Sequence, residues 1–170
     1  MVGIRCSAPG KLFLGGEYAV LYGGKAVVTG VNRRVFAEIK DELGSNDSSI
    51  LLSARRNFDA YLQNSGRPMG STVGVGVTSS GFRLRNAKIG IGSSAAVAAV
   101  VTGVLFESAG LPIADHLEDI AKVAIQAHCD SQEGRGSGAD VATGVYGGTI
   151  VYEIGKRPTP ESHHRHPCPL

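Results

Sequence analysis

Neither sign of charge dominates this chain: seventeen Lys and Arg stand against fifteen Asp and Glu, leaving +2, with no long basic run and only ten aromatic residues. That balance excludes the usual electrostatic footprint of a nucleic-acid binder, so no nucleic-acid partner is expected. Long apolar runs are missing too. No stretch reaches the about eighteen residues of a membrane span, and no apolar core follows a charged stretch at the start, which predicts a soluble, cytoplasmic protein with no membrane partner. Cysteine is scarce: Cys6, Cys129 and Cys168 are scattered without C-x-x-C spacing, and an odd count fits a reducing compartment better than a disulfide framework. With 170 residues, 42% of them hydrophobic, the chain can bury one good core but not two.

Glycine is abundant, at 24 residues. This is about twice the ordinary share of roughly 7%. The glycines cluster over 10 to 30, 66 to 92 and 134 to 148, between apolar segments, as loops that bring backbone close to a ligand require.

Short β-rich runs predict strands at Ile4–Ala8, Leu12–Leu14, Tyr18–Leu21, Ala26–Val28 and Val31–Ile39, with two more at Ile50–Ser53 and Val73–Thr78. The acidic stretch from Asp41 to Ser49 reads as a surface loop. Phe58, Tyr61 and Leu62 share a face within a short helix over Arg55–Arg67. Ser94–Ala109 is apolar nearly all round and is followed by Gly110 and Pro112, which predicts a buried helix. Asp115, with Glu118 three residues on, is expected to cap the next helix, whose stripe is Leu117, Ile120, Ala121, Ala124, Ile125 and His128 and whose end lies near Cys129. A glycine-rich loop over Asp130–Gly138, a short segment at Ala139–Val145 and a strand at Thr149–Ile154 complete an α+β fold, strands first and buried helices after. From Gly155 the chain turns proline- and histidine-rich, predicting a disordered tail over 155–170 behind a domain spanning 1–154. His163, His164, His166 and Cys168 are good zinc ligands, but the prolines oppose a compact ligand loop and no second ligand cluster lies upstream.

Three glycine-containing motifs carry chemistry. In the segment Lys88 to Val97, Gly90 and Gly92 let backbone approach an anion, and the free N–H groups at the head of the following helix, Ser93 to Ala95 among them, point at it. A di- or triphosphate suits such a turn, and Ser93 or Ser94 adds a hydroxyl donor or a ligand to Mg²⁺. The same serines are also favoured as plain helix caps. The second motif, Ala8 to Gly24, puts Lys11 between a Pro-Gly turn and an apolar strand, where it can meet phosphate or a substrate hydroxyl, with Glu17 on the same hairpin. Read alone, these two are a solvated charge and a hairpin residue. The third, Gly134 to Gly148, sets Asp140 at the entry of a short helix, where it either caps or orients an attacking hydroxyl.

Together, in this order and wording, the motifs resemble the GHMP kinases over about Ala8 to Tyr152. Gly16-Glu17-Tyr18, Lys88 and Ser137-Gly-Ala-Asp140-Val followed by Tyr146-Gly-Gly148 bring the chain nearest the branch that phosphorylates phosphomevalonate, with the mevalonate kinases next. The resemblance implies the family's N-terminal α+β domain, similar to the second domain of ribosomal protein S5. It implies ATP and Mg²⁺ as cofactors and a small-molecule acceptor, with mevalonate or a sugar as the alternatives to phosphomevalonate. Residue by residue, it implies that Gly90, Ile91, Gly92, Ser93, Ser94, Ala95 and Ala96 hold the ATP phosphates and that Ser94 is the Mg²⁺-associated serine. Lys11 and Asp140 are then the catalytic pair, and Lys11, Glu17, Tyr18, Ser137 and Gly138 contact substrate. Further cations for an acceptor phosphate are open between Arg135, Arg33 and Lys25, and the acidic metal ligand between Asp130, Glu133 and Glu17.

Ile91 stands where the family usually has leucine, and Asp59–Thr78 is compressed. Family members are roughly twice as long, with a third glycine-rich motif in a C-terminal domain that this sequence lacks. The chain is therefore expected to be truncated after 154, and its function is either half of an ATP-dependent kinase or a remnant that binds nucleotide, self-associates or pairs with another chain through its uncovered apolar strands.

Overall fold

The computed structural model describes residues 3–40, 48–69, 73–84, 87–134 and 136–160. Its elements in chain order are β1 (Arg5–Gly15), β2 (Ala26–Lys40), α1 (Ser49–Asn64), β3 (Gly74–Thr78), β4 (Arg83–Leu84), β5 (Ala87–Lys88), α2 (Ser93–Ser108), α3 (Leu117–Ser131), α4 (Ala139–Tyr146), β6 (Thr149–Tyr152) and β7 (Thr159–Pro160). This is the expected mixture of sheet and helix.

The long strand β2 organises the sheet. β1 lies along one edge of it, while β6 pairs with its first residues and β3 with its last, all antiparallel. β1 runs unbroken through Gly10, where separate strands at Ile4–Ala8 and Leu12–Leu14 were expected. Gly10 serves close approach rather than chain reversal: a Cβ there would lie 2.8 Å from the Ile91 carbonyl oxygen and 2.8 Å from the Phe82 ring. The β1–β2 register slips between Pro9 and Gly10, so the strand bends at the residue before Lys11.

Other local expectations are corrected. Tyr18–Leu21 is not a strand; Ala19–Tyr22 forms a 3₁₀ turn that ends at Gly23 in the left-handed conformation. Ile50–Ser53 is the first turn of α1, begun by Ser48, whose hydroxyl accepts from the Leu51 N–H. The helix expected over Arg55–Arg67 thus starts earlier and ends at Asn64, burying Leu51, Ala54, Phe58 and Leu62 along one face. Asp115 does not cap α3: it closes a 3₁₀ turn, and His116 occupies the capping position with no side-chain cap bond. α3 runs past Cys129 to Ser131, so Asp130 is helical and not in the following loop. Residues 155–160, assigned to the tail on composition, turn back so that β7 pairs with β6; 161–170, with the three tail histidines and Cys168, lie outside the described residues.

The main core lies between the sheet and α1, α2 and α3. Phe106 of α2 is fully buried, its ring centroid 4.9 Å from those of both Phe58 and Tyr61. α2 is buried along nearly its whole length, as its all-round apolarity demands. A smaller cluster of Val20, Ala26, Val28, Ala139, Ala142, Ile150 and Tyr152 seats α4 on the other end of the sheet. The two clusters share Ile125 of α3, which packs against both. No helix among the described residues is long and apolar enough to cross a membrane.

Candidate functional site

Lys11 joins the first two motifs. Its backbone N–H donates to the Ile91 carbonyl at 2.9 Å, which ties the 90–92 turn to β1. Strand alternation sends its side chain to the same face as Phe13, and the ammonium sits 4.4 Å from that ring's centroid. On the way the aliphatic stem crosses Gly92, where a Cβ would lie 3.0 Å from the lysine Cγ and Cε. Gly92 is also left-handed, with φ of 74°, so two independent constraints require glycine there.

Gly92 caps α2 without a side chain. The alternative weighed from the sequence, that Ser93 or Ser94 is a plain cap, is therefore not met, and the N–H groups of the first turn precede any helical partner; the first such bond runs from Ala96 N–H to Gly92 O at 3.1 Å. Ala95 and Ala96 bury their methyl groups in the core and can offer only backbone. Ser94 turns instead to α3, its hydroxyl 3.1 Å from His128 Nε2.

The third motif reaches the same place from the opposite side. Tyr152 Oη donates to the Ser137 carbonyl at 2.8 Å. Gly138, at φ 82°, caps α4 in a space where a Cβ would press within 2.8 Å of Ile125 and 3.0 Å of the Tyr152 oxygen. The turn so fixed starts α4 with Asp140 in its first turn, its carboxylate accepting the Val141 N–H at 3.0 Å.

These elements enclose a cavity of about 220 Å³ lined by Lys11, Glu17, Tyr18, His128, Gln132 and Asp140, together with Phe13, Leu21, Gly136 and Ser137. The cavity thus gathers Lys11, Asp140, Glu17, Tyr18 and Ser137 from parts of the chain far apart in sequence. Residues 90–96 do not line it; they adjoin it through Lys11 and through the Ser94–His128 contact. Lys25 and Arg33 are exposed and do not line it, and Arg135 lies outside the described residues. Of the three open acidic positions, Glu17 lines the cavity. Asp130 is engaged elsewhere, accepting from Asn57 and Gln126, and Glu133 is exposed on a residue of positive φ. A larger cavity of about 480 Å³ between α3, α4 and the 154–158 turn shares only Gly136 and Ser137 with this one and contains neither Lys11 nor Asp140.

His128 and Gln132 are the site residues that sequence reasoning passed over. His128 completes an apolar stripe, and a polar residue there, 5% exposed, must find a partner. Burial pushes its imidazole below the ordinary histidine value, with the Asp140 carboxylate pulling the other way. The Tyr152 phenol is held above its usual range, by burial first and by Asp140 second.

Among the described residues no group of three or more His, Cys, Asp or Glu side chains could cage a metal ion. The oxygen donors present, the Ser94 hydroxyl and the Glu17 and Asp140 carboxylates around the cavity, fit a Mg²⁺ ion that takes few protein oxygens and completes its shell with water and phosphate.

Comparison with known proteins places this chain in a family. The family model for the GHMP kinases N terminal domain matches residues 54–148, and the chain belongs to that family. Among curated relatives it is 31% identical over 163 residues to the phosphomevalonate kinase of Saccharolobus solfataricus, covering 88% of this chain and 49% of the relative. It is 28% identical over 183 residues to the mevalonate kinase of Pyrococcus furiosus, covering 90% and 52%. The fold also matches the Streptococcus pneumoniae phosphomevalonate kinase solved in complex with phosphomevalonate and AMPPNP, with a TM-score of 0.73 at 23% identity over 89% of this chain and 50% of that one. The chain spans about half the length of the curated relatives it matches.

Proposed function

We propose that this chain is the nucleotide-binding half of an ATP-dependent small-molecule kinase, with phosphomevalonate as acceptor. The observation that carries this is the position of Lys11, with its backbone on the 90–92 turn, its stem across Gly92 and its ammonium in the cavity that also holds Asp140. One cation thereby stands between a helix N-terminus suited to phosphates and a pocket suited to an acceptor. The names of the relatives, phosphomevalonate and mevalonate kinases, and the AMPPNP in one related structure support the same choice of donor and acceptor.

In this reading the α2 N–H groups and the 90–92 backbone hold the β- and γ-phosphates, and Ser94 with Glu17 or Asp140 provides protein oxygens for Mg²⁺. Bound there, Mg²⁺ neutralises charge on the phosphates. Asp140 aligns the acceptor hydroxyl and takes its proton as the new P–O bond forms and the bond from the γ-phosphorus to the bridging oxygen breaks, releasing ADP. Lys11 balances the charge on the transferred group, and Tyr18 and Ser137 bound the acceptor, with Gly138 holding the turn that places Ser137 and Asp140. Catalysis is then positioning plus electrostatics.

The test is ADP release by the 170-residue chain with phosphomevalonate, mevalonate and a sugar in parallel. Asp140→Ala is expected to lower turnover by about 10²- to 10⁴-fold while leaving the Kd for ATP measured without Mg²⁺ unchanged. Absence of ATP binding at millimolar ATP with Mg²⁺ overturns the reading. A second reading, a non-catalytic module that pairs with another chain or with itself, is favoured by Leu12, Leu14, Leu21 and Tyr22, each more than half exposed. ATP binding without turnover, together with a concentration-dependent dimer in sedimentation, selects it.

A further inference from the structure

We propose that His128 is a positioning residue that draws the hydroxyl hydrogen of Ser94 inward, so that the serine oxygen turns its lone pairs toward whatever is bound at the head of α2. The inference rests on the reading of that turn as an ATP site and adds a part to it.

The direction of the hydrogen bonds follows from the donors available. His128 Nε2 lies 3.1 Å from Ser94 Oγ and 3.1 Å from Gln132 Nε2. An amide nitrogen carries only hydrogens, so toward Gln132 the imidazole nitrogen must accept. A nitrogen that accepts has no hydrogen left for Ser94, so at that contact the serine hydroxyl is the donor, sharing the single imidazole lone pair with the Gln132 amide. His128 is thereby set as the neutral ring with its hydrogen on Nδ1, a form that its burial among the last turn of α3, α2 and the cavity wall also favours. With its hydrogen committed inward, Ser94 has no free O–H rotor. Its oxygen is left as a pure acceptor at the helix head, the form a hard cation requires and a bare phosphate does not.

Nucleotide binding and its enhancement by metal should therefore separate. Without His128 the hydroxyl is free to swing and donate to a phosphate oxygen, so ATP alone should bind about as before while the gain from Mg²⁺ falls. Loss of an outer hydrogen-bond partner of a metal ligand lowers metal affinity by about 10- to 100-fold, and His128→Ala is expected to lose about tenfold of the Mg²⁺-dependent gain in ATP affinity. His128→Gln, whose carbonyl oxygen can accept from Ser94, should recover most of it. In Ser94→Ala the gain should be gone already, and adding His128→Ala should change nothing further.

The experiment measures ATP Kd with and without Mg²⁺ by titration calorimetry on the 170-residue chain and these variants, alongside their melting temperatures and ¹⁵N spectra of the imidazoles. Expected are the rescue by Gln at equal thermal stability, and a neutral, Nδ1-protonated His128 in the parent whose Nε2 resonance moves in Ser94→Ala. A full Mg²⁺ gain in folded His128→Ala, or an Nε2-protonated ring, overturns the positioning role while the ATP reading stands. Should His128→Ala fail to fold, the ring spectrum of the parent and of Ser94→Ala still decides. A parent chain that binds no ATP with Mg²⁺ overturns both.

Discussion

The two ends of α2 are held by different physics. At its C-terminal half Phe106 meets Phe58 and Tyr61 in a dry, tilted aromatic group, and Val101, Val104 and Leu105 are buried around it. At its head, from Gly92 to Ser94, single contacts decide: the Ile91 carbonyl on Lys11, the lysine stem over Gly92, and His128 on Ser94. The first region is specified by volume and tolerates exchange of one apolar shape for another. The second is specified by the absence of a Cβ and by the direction of single hydrogen bonds. Stability is therefore concentrated at one end of the helix and the proposed chemistry at the other.

The largest effect that can break this contrast is in the core. Phe106→Ala removes a ring with no exposed surface and should cost about 3–5 kcal/mol in denaturant unfolding. If the contrast holds, the variant still folded at low temperature binds Mg·ATP with parental affinity. A parallel loss of affinity would show the two ends to be one cooperative unit. Next in size is Gly92→Ala, which places a Cβ at φ 74° against the Lys11 stem. The left-handed conformation alone should cost about 1–2 kcal/mol. Unlike the core variant it should also weaken ATP binding, because the lysine must shift to make room, and calorimetry with and without nucleotide separates the two effects.

The same contrast explains what was legible in the sequence. The buried helix was readable from composition alone: an apolar run ended by Gly110 has few alternatives, and it appears within one residue of the expected bounds. α1 was only half readable, because Ile50 to Ser53 taken as an isolated apolar run fits a strand as well as a helix; the Ser48 cap decides it. The strand breaks failed for a different reason. Gly10 looks like punctuation, but its role is close approach to a loop far along the chain, which only tertiary contact reveals. Lys11 and Asp140 were singled out through motif resemblance, and their convergence on one cavity has no signature in local periodicity. His128 carried a signal, a polar residue on a buried stripe, yet its partner Ser94 belongs to another helix and could not be named from spacing.

The smallest predicted effect sharpens the contrast at the rim of the apolar side. Asp130, weighed from sequence as a metal ligand, instead fastens α3 to α1: it accepts from Asn57 Nδ2 at 2.8 Å and from Gln126 Nε2 at 2.7 Å. Those two hydrogen bonds hold its carboxyl below the ordinary aspartate value, opposed only weakly by burial. A carboxyl more acidic in the folded than in the unfolded chain adds stability above its unfolded pKa and loses it as pH falls through the folded one. Because the group is open to solvent, Asp130→Asn should cost less than about 1 kcal/mol at neutral pH. That difference should shrink toward zero as the pH is lowered past about 4. Unfolding of the two proteins compared from pH 7 to pH 3 measures it. A difference that persists in acid would mean that Asp130 acts through packing rather than charge, and an altered Mg²⁺ dependence of ATP binding would return it to the metal site. If neither appears, the polar clasp is a minor addition to a helix pair already joined by the hydrogen bond from Tyr61 Oη to Asp119 and by the core that Phe58 and Leu62 share with Ile120 and Ala124.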